Sequence, residues 1–381
     1  MTKKFADLAK QDESITAKCA KLFGVSINTF CNWRWQMKNQ IQDRKEAEKI
    51  ISLLKEEQSG FETLNELFHI GVTPYYLGLI ALGKDKAAIR RQALPSQLEL
   101  SDHLGQQDPL DEVGHSPVKE VVHLYPDRVA FCVAQLCPVY CRYCFRKRRD
   151  SEKGLHFNRN IIKNGIDYIS SNKAIKDVLI TGGDPFIASD QAIEGLLQQL
   201  SAIEHVEVVR FGTRTPVTLP YRVTKTLANI LAKYHPVWLN THFNSAEEIT
   251  VEASLAISNL VDAGIPVGNQ AVLLKGVNDS DEKMKELCLA LVKNRVRPYY
   301  VFHPHMVEGT KHLRVPVSKG LSIMKSLRGN ISGFAIPTYA LDTPSGKIPL
   351  SHNYILGYDG NDILVEGIRG EIWREVGAEE P

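Results

Sequence analysis

The sequence predicts an α/β fold in which an incomplete parallel (β/α)6 barrel follows a helical arm. From Asp127 onward, short apolar runs of strand length alternate with polar loops and with amphipathic runs of helix length. Such alternation is typical of a parallel sheet whose strands are joined by crossover helices. Six strand–helix units fit the sequence, fewer than the eight of a closed TIM barrel, so we expect a TIM-like barrel that is open on one side.

Each predicted strand is a short apolar run that ends in polar or glycine-rich sequence. The strands cover residues 128–134, 177–181, 206–211, 236–241, 265–273 and 297–301, and a last strand covers 334–341. The helices between them are predicted from apolar residues that recur at helical spacing. They cover residues 161–170, 192–203, 223–233, 248–263, 284–294 and 319–327.

The first 125 residues have a different pattern, with helical spacing over 46–58 and several prolines over 95–117. We therefore predict three regions of the chain. They are a helical arm with a role in oligomerisation (1–125), the partial barrel (126–332) and a C-terminal segment (333–381).

Composition excludes several classes of protein. A chain of 381 residues with 43% hydrophobic content can bury one large core or two modest ones, and no apolar run is long enough to span a membrane. The formal net charge of +2 gives no reason to expect a nucleic acid or a membrane surface as partner. Seven cysteines, an odd number, and a polar N-terminal sequence predict reduced thiols in the cytoplasm.

Three cysteines, Cys137, Cys141 and Cys144, form a CxxxCxxC pattern directly after a predicted strand. Iron–sulfur clusters are normally held by four thiolates, so three ligands leave one iron of a [4Fe–4S] cluster open to a substrate or cofactor. A structural zinc site would need a fourth ligand, usually from a second Cys or His pair, and no second pair follows. The pattern is typical of radical S-adenosylmethionine (radical SAM) enzymes, and we predict a cluster on these three cysteines.

Further polar residues stand at the carboxyl ends of the predicted strands, where parallel barrels place their functional groups. These positions are Gly182, Gly183, Asp184, residues 213–216, His242, Gln270, residues 303–305 and Asp342. The glycines at 182 and 183 allow the backbone to approach a ligand closely, although alone they would indicate an ordinary turn. Because the Gly-Gly-Asp loop lies one strand–helix unit after the cysteine loop, we expect it to bind the ammonium group of S-adenosylmethionine.

Over nearly its whole length, the chain resembles lysine 2,3-aminomutase and its relatives. The matching segments, in order, are Asn32-Trp-Arg-Trp-Gln36, Pro74-Tyr-Tyr, Tyr125-Pro-Asp-Arg128, the cysteine loop, Gly182-Gly-Asp, Arg214-Thr-Pro, Trp238-Leu-Asn-Thr-His-Phe243, Gly268-Asn-Gln270 and Arg297-Pro-Tyr-Tyr300. The resemblance implies a radical SAM isomerase that carries a [4Fe–4S] cluster, S-adenosylmethionine and pyridoxal 5′-phosphate. Such an enzyme takes electrons from a reducing donor and moves the amino group of an L-α-amino acid from C2 to C3.

The resemblance also implies roles for individual residues. Lys347, in a turn-rich loop after the last predicted strand, would bind pyridoxal phosphate as a Schiff base, and Arg128 would bind the phosphate group. Arg146 would bind the substrate α-carboxylate, a role that suits the planar arginine fork. His242 and Gln270 fall where the family contacts S-adenosylmethionine.

Two positions depart from the family in the substrate site. The lysine enzymes hold the distal ammonium group with two aspartates, which align here with His305 and Asp342, and the loop from Asp342 to Lys347 is shorter. An imidazole in place of a carboxylate weakens or reverses the preference for a cationic side chain. The expected substrate is lysine or a lysine-like amino acid, with glutamate 2,3-aminomutase as the alternative. A neutral His305 that only donates or accepts a hydrogen bond is equally consistent with the sequence.

Assembly and the class of protein are open to further hypotheses. Ser280 stands where the family has a cysteine that binds zinc between subunits, so we predict no zinc, although we still expect a homo-oligomer, a dimer or tetramer. Residues 16–30, with Gly24 at a turn, superficially resemble a helix-turn-helix, which would suit a non-catalytic iron–sulfur sensor that binds DNA. Lys347 and Arg128 favour the enzyme. A further relative makes β-lysine for the modification of a translation factor, but the long arm favours an enzyme that acts on a free amino acid.

Overall fold

A nine-stranded sheet forms the centre of the molecule, and its strands lie side by side in sequence order. In this computed structural model, which describes residues 14–64, 67–147 and 157–378, the strands are β1 (Val121–Tyr125), β2 (Arg128–Ala134), β3 (Asp177–Gly182), β4 (Val208–Gly212), β5 (Val237–Thr241), β6 (Val267–Val272), β7 (Arg297–Phe302), β8 (Thr338–Thr343) and β9 (Gly346–Pro349). Strands β2 to β8 are parallel, whereas β1 and β9 are antiparallel to their neighbours at the two edges. Among the described residues no pairing joins β1 to β9, so the barrel is open, as the sequence predicts.

Helices connect successive parallel strands. They are α8 (Arg159–Ser171), α9 (Asp190–Ser201), the short α10 (Thr215–Thr218), α11 (Lys225–Ala232), α12 (Val251–Asp262), α13 (Asp281–Lys293) and α14 (Val317–Leu327). Several begin at the residue that the sequence favours for a cap. Ser189, Thr224, Thr250 and Ser280 each accept a hydrogen bond from a backbone N–H in the first turn, which satisfies a donor that has no partner within the helix. The prediction of a partial α/β barrel is confirmed.

The region before the barrel is helical. Its helices are α1 (Thr16–Leu22), α2 (Ile27–Phe30), α3 (Trp33–Lys38), α4 (Arg44–Glu48), α5 (Lys55–Thr63), α6 (Pro74–Leu82) and α7 (Lys86–Ala93). The single helix predicted over 46–58 is wrong. The Glu57 side chain accepts a hydrogen bond from the backbone N–H of Leu54 at 2.8 Å, and a new helix therefore starts at Lys55.

These helices share one apolar core with the barrel. Buried side chains of the arm and of the strands belong to the same cluster. Tyr221, which follows β4, packs edge-on against Tyr75 of α6 at 5.4 Å and against Phe30 of α2 at 5.9 Å between ring centroids. Phe30 is buried in that contact, and α2 carries no basic residue, so it does not present the basic face that a DNA-reading helix needs. The division of the chain after residues 125 and 332 stays a prediction.

A small antiparallel sheet ends the described chain. Its strands are β10 (Ile355–Asp359), β11 (Asp362–Glu366) and β12 (Ile372–Glu375). Glu366 accepts hydrogen bonds from Lys325 of α14 and from His352, both at 2.7 Å, which ties the sheet to the barrel. In the described parts of the chain, no helix is both long and apolar enough to cross a membrane.

Candidate active site at the carboxyl ends of the strands

The cysteine loop leaves the carboxyl end of β2 and is held from outside by the helical arm. The Gln40 side chain donates to the backbone carbonyl of Cys137 at 2.7 Å. The backbone N–H of Tyr140 bonds to the carbonyl of Gly71 at 3.0 Å, and that of Arg142 bonds to the carbonyl of Gln92 at 2.9 Å. Cys137, Cys141 and Cys144 are partly exposed thiols, so their sulfur atoms are accessible to a cluster.

A buried charge cluster fixes the end of the cysteine loop. Arg142 donates to both carboxylate oxygens of Glu99, at 2.9 and 2.7 Å, and Lys147 donates to the same carboxylate at 3.0 Å. Burial alone would raise the pKa of Glu99, but Arg142 and Lys147 hold that pKa at about 2. The basic run after the cysteines is therefore neutralised in part by a carboxylate of the arm.

The Gly182–Gly183 turn lies directly against the cysteine loop. Gly182 has a φ of +117°, which favours glycine, and a Cβ at Gly183 would lie 2.5 Å from the backbone carbon of Gln135. The backbone N–H of Asp184 bonds to the carbonyl of Leu136 at 2.9 Å. The two glycines therefore allow the backbone of the Gly-Gly-Asp loop to lie directly against the backbone at Gln135 and Leu136.

A cavity lies at this junction. Its lining includes Cys137, Cys144, Arg146, Gly182 and Gly183. The structure thus brings together residues that the sequence assigns to the cluster, to S-adenosylmethionine and to the substrate. The contact of the glycines with S-adenosylmethionine itself stays a prediction.

Asp184 connects the Gly-Gly-Asp loop to the next strand end. One carboxylate oxygen accepts from Thr213 Oγ1 at 2.6 Å and from the N–H of Phe186 at 3.0 Å, and the other accepts from the N–H of Arg214 at 2.9 Å. Burial raises the pKa of Asp184 despite these hydrogen bonds. In this structure the Asp184 side chain faces the protein and positions the loop after β4, and its assignment to S-adenosylmethionine stays a prediction.

The sequence places Arg214 among the polar residues at the strand ends but assigns it no role. Its Nη1 atom donates to Sγ of Cys141 at 2.9 Å, and Nη2 donates to Glu248 at 2.7 Å. The signals in the sequence are its place after a predicted strand and its membership of a matching segment, Arg214-Thr-Pro. The structure adds it to the cluster site.

His242 and Gln270 lie at neighbouring strand ends. His242 stacks on Tyr143 with a centroid distance of 5.5 Å and an interplanar angle of 17°. Burial and the nearby Arg214 lower the pKa of His242 to about 3, so its imidazole is neutral near pH 7. Gln270 lies in β6 opposite Tyr300 of β7. Both residues are half-buried at the same rim as the cysteine loop, and their role toward S-adenosylmethionine stays a prediction.

Lys347 lies in a strand and not in a loop, which corrects the prediction. Residues 344–345 form the turn of the β8–β9 hairpin, and Lys347 pairs with Asp342 in its register. Its Nζ atom donates to Asp342 Oδ1 at 2.6 Å and lies 4.7 Å from the ring centroid of Phe302. The hairpin holds this amine in a fixed position.

Tyr125 joins the two residues that are predicted to bind pyridoxal phosphate. Its ring lies under the Arg128 guanidinium at 3.7 Å, and its oxygen accepts a hydrogen bond from the backbone N–H of Lys347 at 2.8 Å. Arg128 also pairs with Asp127 at 2.8 Å, and its side chain is 39% exposed. Arg128 is therefore accessible to a phosphate group near Lys347.

The Asp342 carboxylate is shared between two partners. Lys347 binds Oδ1, and Nε2 of His305 lies 3.3 Å from Oδ2. Burial alone would raise the pKa of Asp342, but hydrogen bonds and charge from His305 and Lys347 lower it. The His305 ring also packs on Phe145 at 4.8 Å. Asp342 is therefore an anion in a mostly buried, aromatic-lined position.

Arg146 is paired with a carboxylate that was not predicted. Glu112 accepts from Nε at 2.9 Å and from Nη2 at 2.7 Å, and Nη1 donates to Thr181 at 3.2 Å. Burial would lower the pKa of Arg146, but Glu112 raises it, so the guanidinium stays charged. Glu112 thus occupies the Nε–Nη2 edge of the guanidinium, and Nη1 and Nη2 each keep one further hydrogen for another acceptor. No pattern in the sequence around Glu112 indicated this pair.

The donor set suits the implied cofactors. Three thiols on one loop, with a cation against one of them, match the thiolate ligands of an iron–sulfur cluster. A lysine whose backbone is joined through Tyr125 to a partly exposed arginine suits an aldehyde cofactor that carries a phosphate group. An open parallel barrel that carries these thiols at its carboxyl end defines the class of protein, a radical SAM enzyme.

Comparisons with known proteins agree with this class. Residues 132–288 match the radical SAM superfamily, and residues 324–374 match the lysine-2,3-aminomutase family model. L-Lysine 2,3-aminomutase of Clostridium subterminale is 44% identical over 351 residues, which cover 91% of this chain and 84% of that protein. Glutamate 2,3-aminomutase of Clostridioides difficile is 40% identical over 368 residues, which cover 95% and 87%. The crystal structure of Streptococcus suis SuiB has a TM-score of 0.43 at 15% identity over 57% of this chain and 49% of that chain, too low to support a conclusion.

The chain belongs to the lysine 2,3-aminomutase family. It is an aminomutase, and hence an isomerase, that acts on a small molecule. It uses a [4Fe–4S] cluster, S-adenosylmethionine and pyridoxal 5′-phosphate.

Proposed function

We propose that this aminomutase converts an L-α-amino acid with a cationic side chain, lysine or a lysine-like molecule, into its β-amino acid. The observation that carries the proposal is the Asp342 carboxylate, which is anionic, 15% exposed and paired with Lys347 Nζ at 2.6 Å. When Lys347 holds the cofactor, its ammonium group is no longer available to Asp342. A mostly buried carboxylate without a cation is costly, so the site favours a substrate that brings its own ammonium group.

His305 supports this arrangement from the other side of the carboxylate. Its Nε2 atom lies 3.3 Å from Asp342 Oδ2, while Lys347 binds Oδ1. A single hydrogen bond at Oδ2 orients the carboxylate and leaves Oδ1 directed toward Lys347 and the cofactor. The ammonium group of a substrate would replace Lys347 at Oδ1.

The remaining residues have the roles that the family implies. Cys137, Cys141 and Cys144 would hold the cluster, Lys347 and Arg128 the pyridoxal phosphate, and Arg146 the substrate α-carboxylate. The residues assigned to S-adenosylmethionine are Gly182, Gly183, Asp184, His242 and Gln270. When bound, the cluster and S-adenosylmethionine supply a carbon radical that removes a hydrogen atom, and pyridoxal phosphate carries the migrating nitrogen.

Glutamate is the second candidate substrate. Glutamate 2,3-aminomutase of Clostridioides difficile is a relative at 40% identity, and an imidazole at His305 replaces one of the two aspartates expected in a lysine enzyme. A protonated His305 would neutralise Asp342 and lower the preference for a cation. This candidate requires an anionic side chain to approach Asp342, which electrostatic repulsion opposes.

We also propose a cytoplasmic location, a reducing electron donor and a homo-oligomer. All seven cysteines lie within the described residues as thiols, which supports a reducing compartment. The arm exposes large apolar side chains at Leu67, Leu104 and Val113, which support its role in self-association. Sedimentation analysis of the full chain would test the oligomeric state.

The test of the substrate proposal compares the wild type with D342N and H305D, each reconstituted anaerobically, with lysine and with glutamate. Loss of one charge-assisted interaction costs about 1.5–3 kcal/mol, so D342N should lose roughly tenfold or more in kcat/KM for lysine. H305D should keep or improve lysine turnover. D359N, at an exposed residue of β10, is the matched control and should behave as the wild type. Preferential turnover of glutamate by the wild type would contradict the proposal.

A further inference from the structure

Arg214 places a buried positive charge against one of the three cysteines. It lies where β4 ends, its side chain is 9% exposed, and Nη1 donates to Sγ of Cys141 at 2.9 Å. The loop that carries Arg214 is itself fixed, because Asp184 accepts hydrogen bonds from Thr213 and from the Arg214 backbone. The strand ends of β2, β3 and β4 thus converge on one sulfur atom.

The guanidinium is held so that it cannot turn away from that sulfur. Its Nη2 atom donates to Glu248 at 2.7 Å, to Gln92 at 2.6 Å and to the hydroxyl of Tyr76 at 3.1 Å. Its Nε atom donates to the carbonyl of His242 at 3.2 Å. Every nitrogen of the side chain therefore has a partner, and Nη1 is the one directed at Cys141.

The compensating negative charge lies on the other side of the guanidinium. Glu248 binds Nη2, whereas the thiol contact is made by Nη1. Glu248 is itself anchored, because its second oxygen accepts from the N–H groups of Asn244 and Ser245 at 2.7 and 2.9 Å. The cation is therefore closer to Cys141 than its counter-ion is, and burial keeps this field from being screened by water.

We infer that Arg214 is a positioning residue that raises the reduction potential of the [4Fe–4S] cluster. The inference rests on the assignment of Cys141 as a cluster ligand. One-electron reduction adds a negative charge that spreads onto the cysteine sulfurs, and a hydrogen bond and a nearby cation both stabilise that charge. Net charge and hydrogen bonds to the sulfurs are among the factors that set the potentials of such clusters. Arg214 thereby makes it easier for the enzyme's electron donor to reduce the cluster.

The test is a redox titration followed by electron paramagnetic resonance, on anaerobically reconstituted wild type, R214Q and R214K. R214Q removes the charge and the fork. We expect the equilibrium constant for reduction of its cluster to fall at least tenfold, which lowers the midpoint potential by about 59 mV for one electron. R214K keeps the charge but cannot reach Cys141 and Glu248 together, so its potential should fall less. Iron and sulfide contents are measured for each sample.

The matched control is R210Q. Arg210 lies in β4, the strand that precedes Arg214, and pairs at 2.7 Å with Asp177 at the amino end of β3, so its loss should leave the potential unchanged. A cluster in R214Q with the potential of the wild type would overturn the inference. If R214Q does not take up a cluster, the test rests on R214K. A midpoint potential of R214K below that of the wild type supports the role of Arg214, and an equal potential overturns it. Absence of any cluster in the wild type would instead refute the site assignment on which the inference rests.

Discussion

The hydroxyl oxygen of Tyr125 accepts a hydrogen bond of 2.8 Å from the backbone N–H of Lys347. Tyr125 ends β1 and Lys347 lies in β9, the two edge strands of the nine-stranded sheet. The bond therefore spans the open side of the barrel. The Arg128 guanidinium lies 3.7 Å above the Tyr125 ring, so both residues assigned to pyridoxal phosphate are positioned by the same tyrosine.

Y125F should weaken pyridoxal phosphate binding. The substitution keeps the ring under Arg128 but removes the acceptor for the Lys347 N–H. The loss of one neutral hydrogen bond costs about 1 kcal/mol, so the dissociation constant should rise roughly fivefold. The measurement is an absorbance titration of cofactor-free protein. Y358F, at an exposed residue of β10, should bind as the wild type does, and equal affinities for all three proteins would refute the role of Tyr125.

E112Q should raise the KM for the amino acid. Glu112 holds Arg146 through Nε and Nη2 at 2.9 and 2.7 Å, and a weaker hold lets the guanidinium move away from the substrate carboxylate. We expect KM to rise roughly tenfold, equivalent to about 1.4 kcal/mol, with a smaller change in kcat. The neighbouring exposed Asp111 provides the control D111N. A lower KM in E112Q would show instead that Glu112 competes with the substrate.

E99Q should destabilise the protein at neutral pH. The pKa of Glu99 is about 2 in the folded protein against an ordinary value of 4.5. Ionisation of this carboxylate therefore contributes about 3 kcal/mol to the free energy of unfolding. That stabilisation is present above pH 4.5 and is lost as pH falls toward 2, because the unfolded chain is protonated first. Urea unfolding of the wild type and E99Q, measured from about pH 7 to about pH 3, should therefore show that the difference between their free energies of unfolding becomes smaller as the pH falls.

The control for that experiment is E207Q, which breaks an exposed pair with Lys176. Exposed pairs contribute about 0–1 kcal/mol, so E207Q should unfold nearly as the wild type does. If the difference in the free energy of unfolding between E99Q and the wild type stayed constant across this pH range, the Glu99 charge would not be its cause.

G183A should reduce incorporation of the cluster. An added Cβ would lie 2.5 Å from a backbone atom of Gln135, at the start of the cysteine loop, and relief of such overlap typically costs about 1–3 kcal/mol. G195A is the matched control, because nothing lies within 4 Å of the corresponding Cβ on α9. Iron content after reconstitution should fall in G183A and not in G195A. Equal iron in both would show that the loop tolerates the displacement.

The sequence predicted the barrel well because its strands are short apolar runs that can be recognised locally. Residues 128–134 read as one apolar run, and β2 occupies those residues. Prediction failed where a specific hydrogen bond or strand pairing, and not the apolar spacing, decides the local structure. Glu57 interrupts the helix predicted over 46–58 by binding the N–H of Leu54, and the hairpin register with Asp342 makes Lys347 part of a strand.

The cysteines of the candidate site could be predicted because their spacing is local. The contacts that position the site could not, since they join residues distant in sequence. Arg214 and Cys141 are 73 residues apart, and Tyr125 and Lys347 are 222 apart. Only the folded barrel brings each pair together, and no single segment carries the signal.

We propose above all that the site selects a cationic amino acid. The most direct test offers the anaerobically reconstituted wild type, with S-adenosylmethionine, pyridoxal phosphate and dithionite, an equimolar pool of the common L-amino acids. Products are separated by chiral chromatography and identified by mass. We expect β-lysine as the main product. If β-glutamate were the main product, or if S-adenosylmethionine were cleaved without any β-amino acid, the site would not select a cationic amino acid.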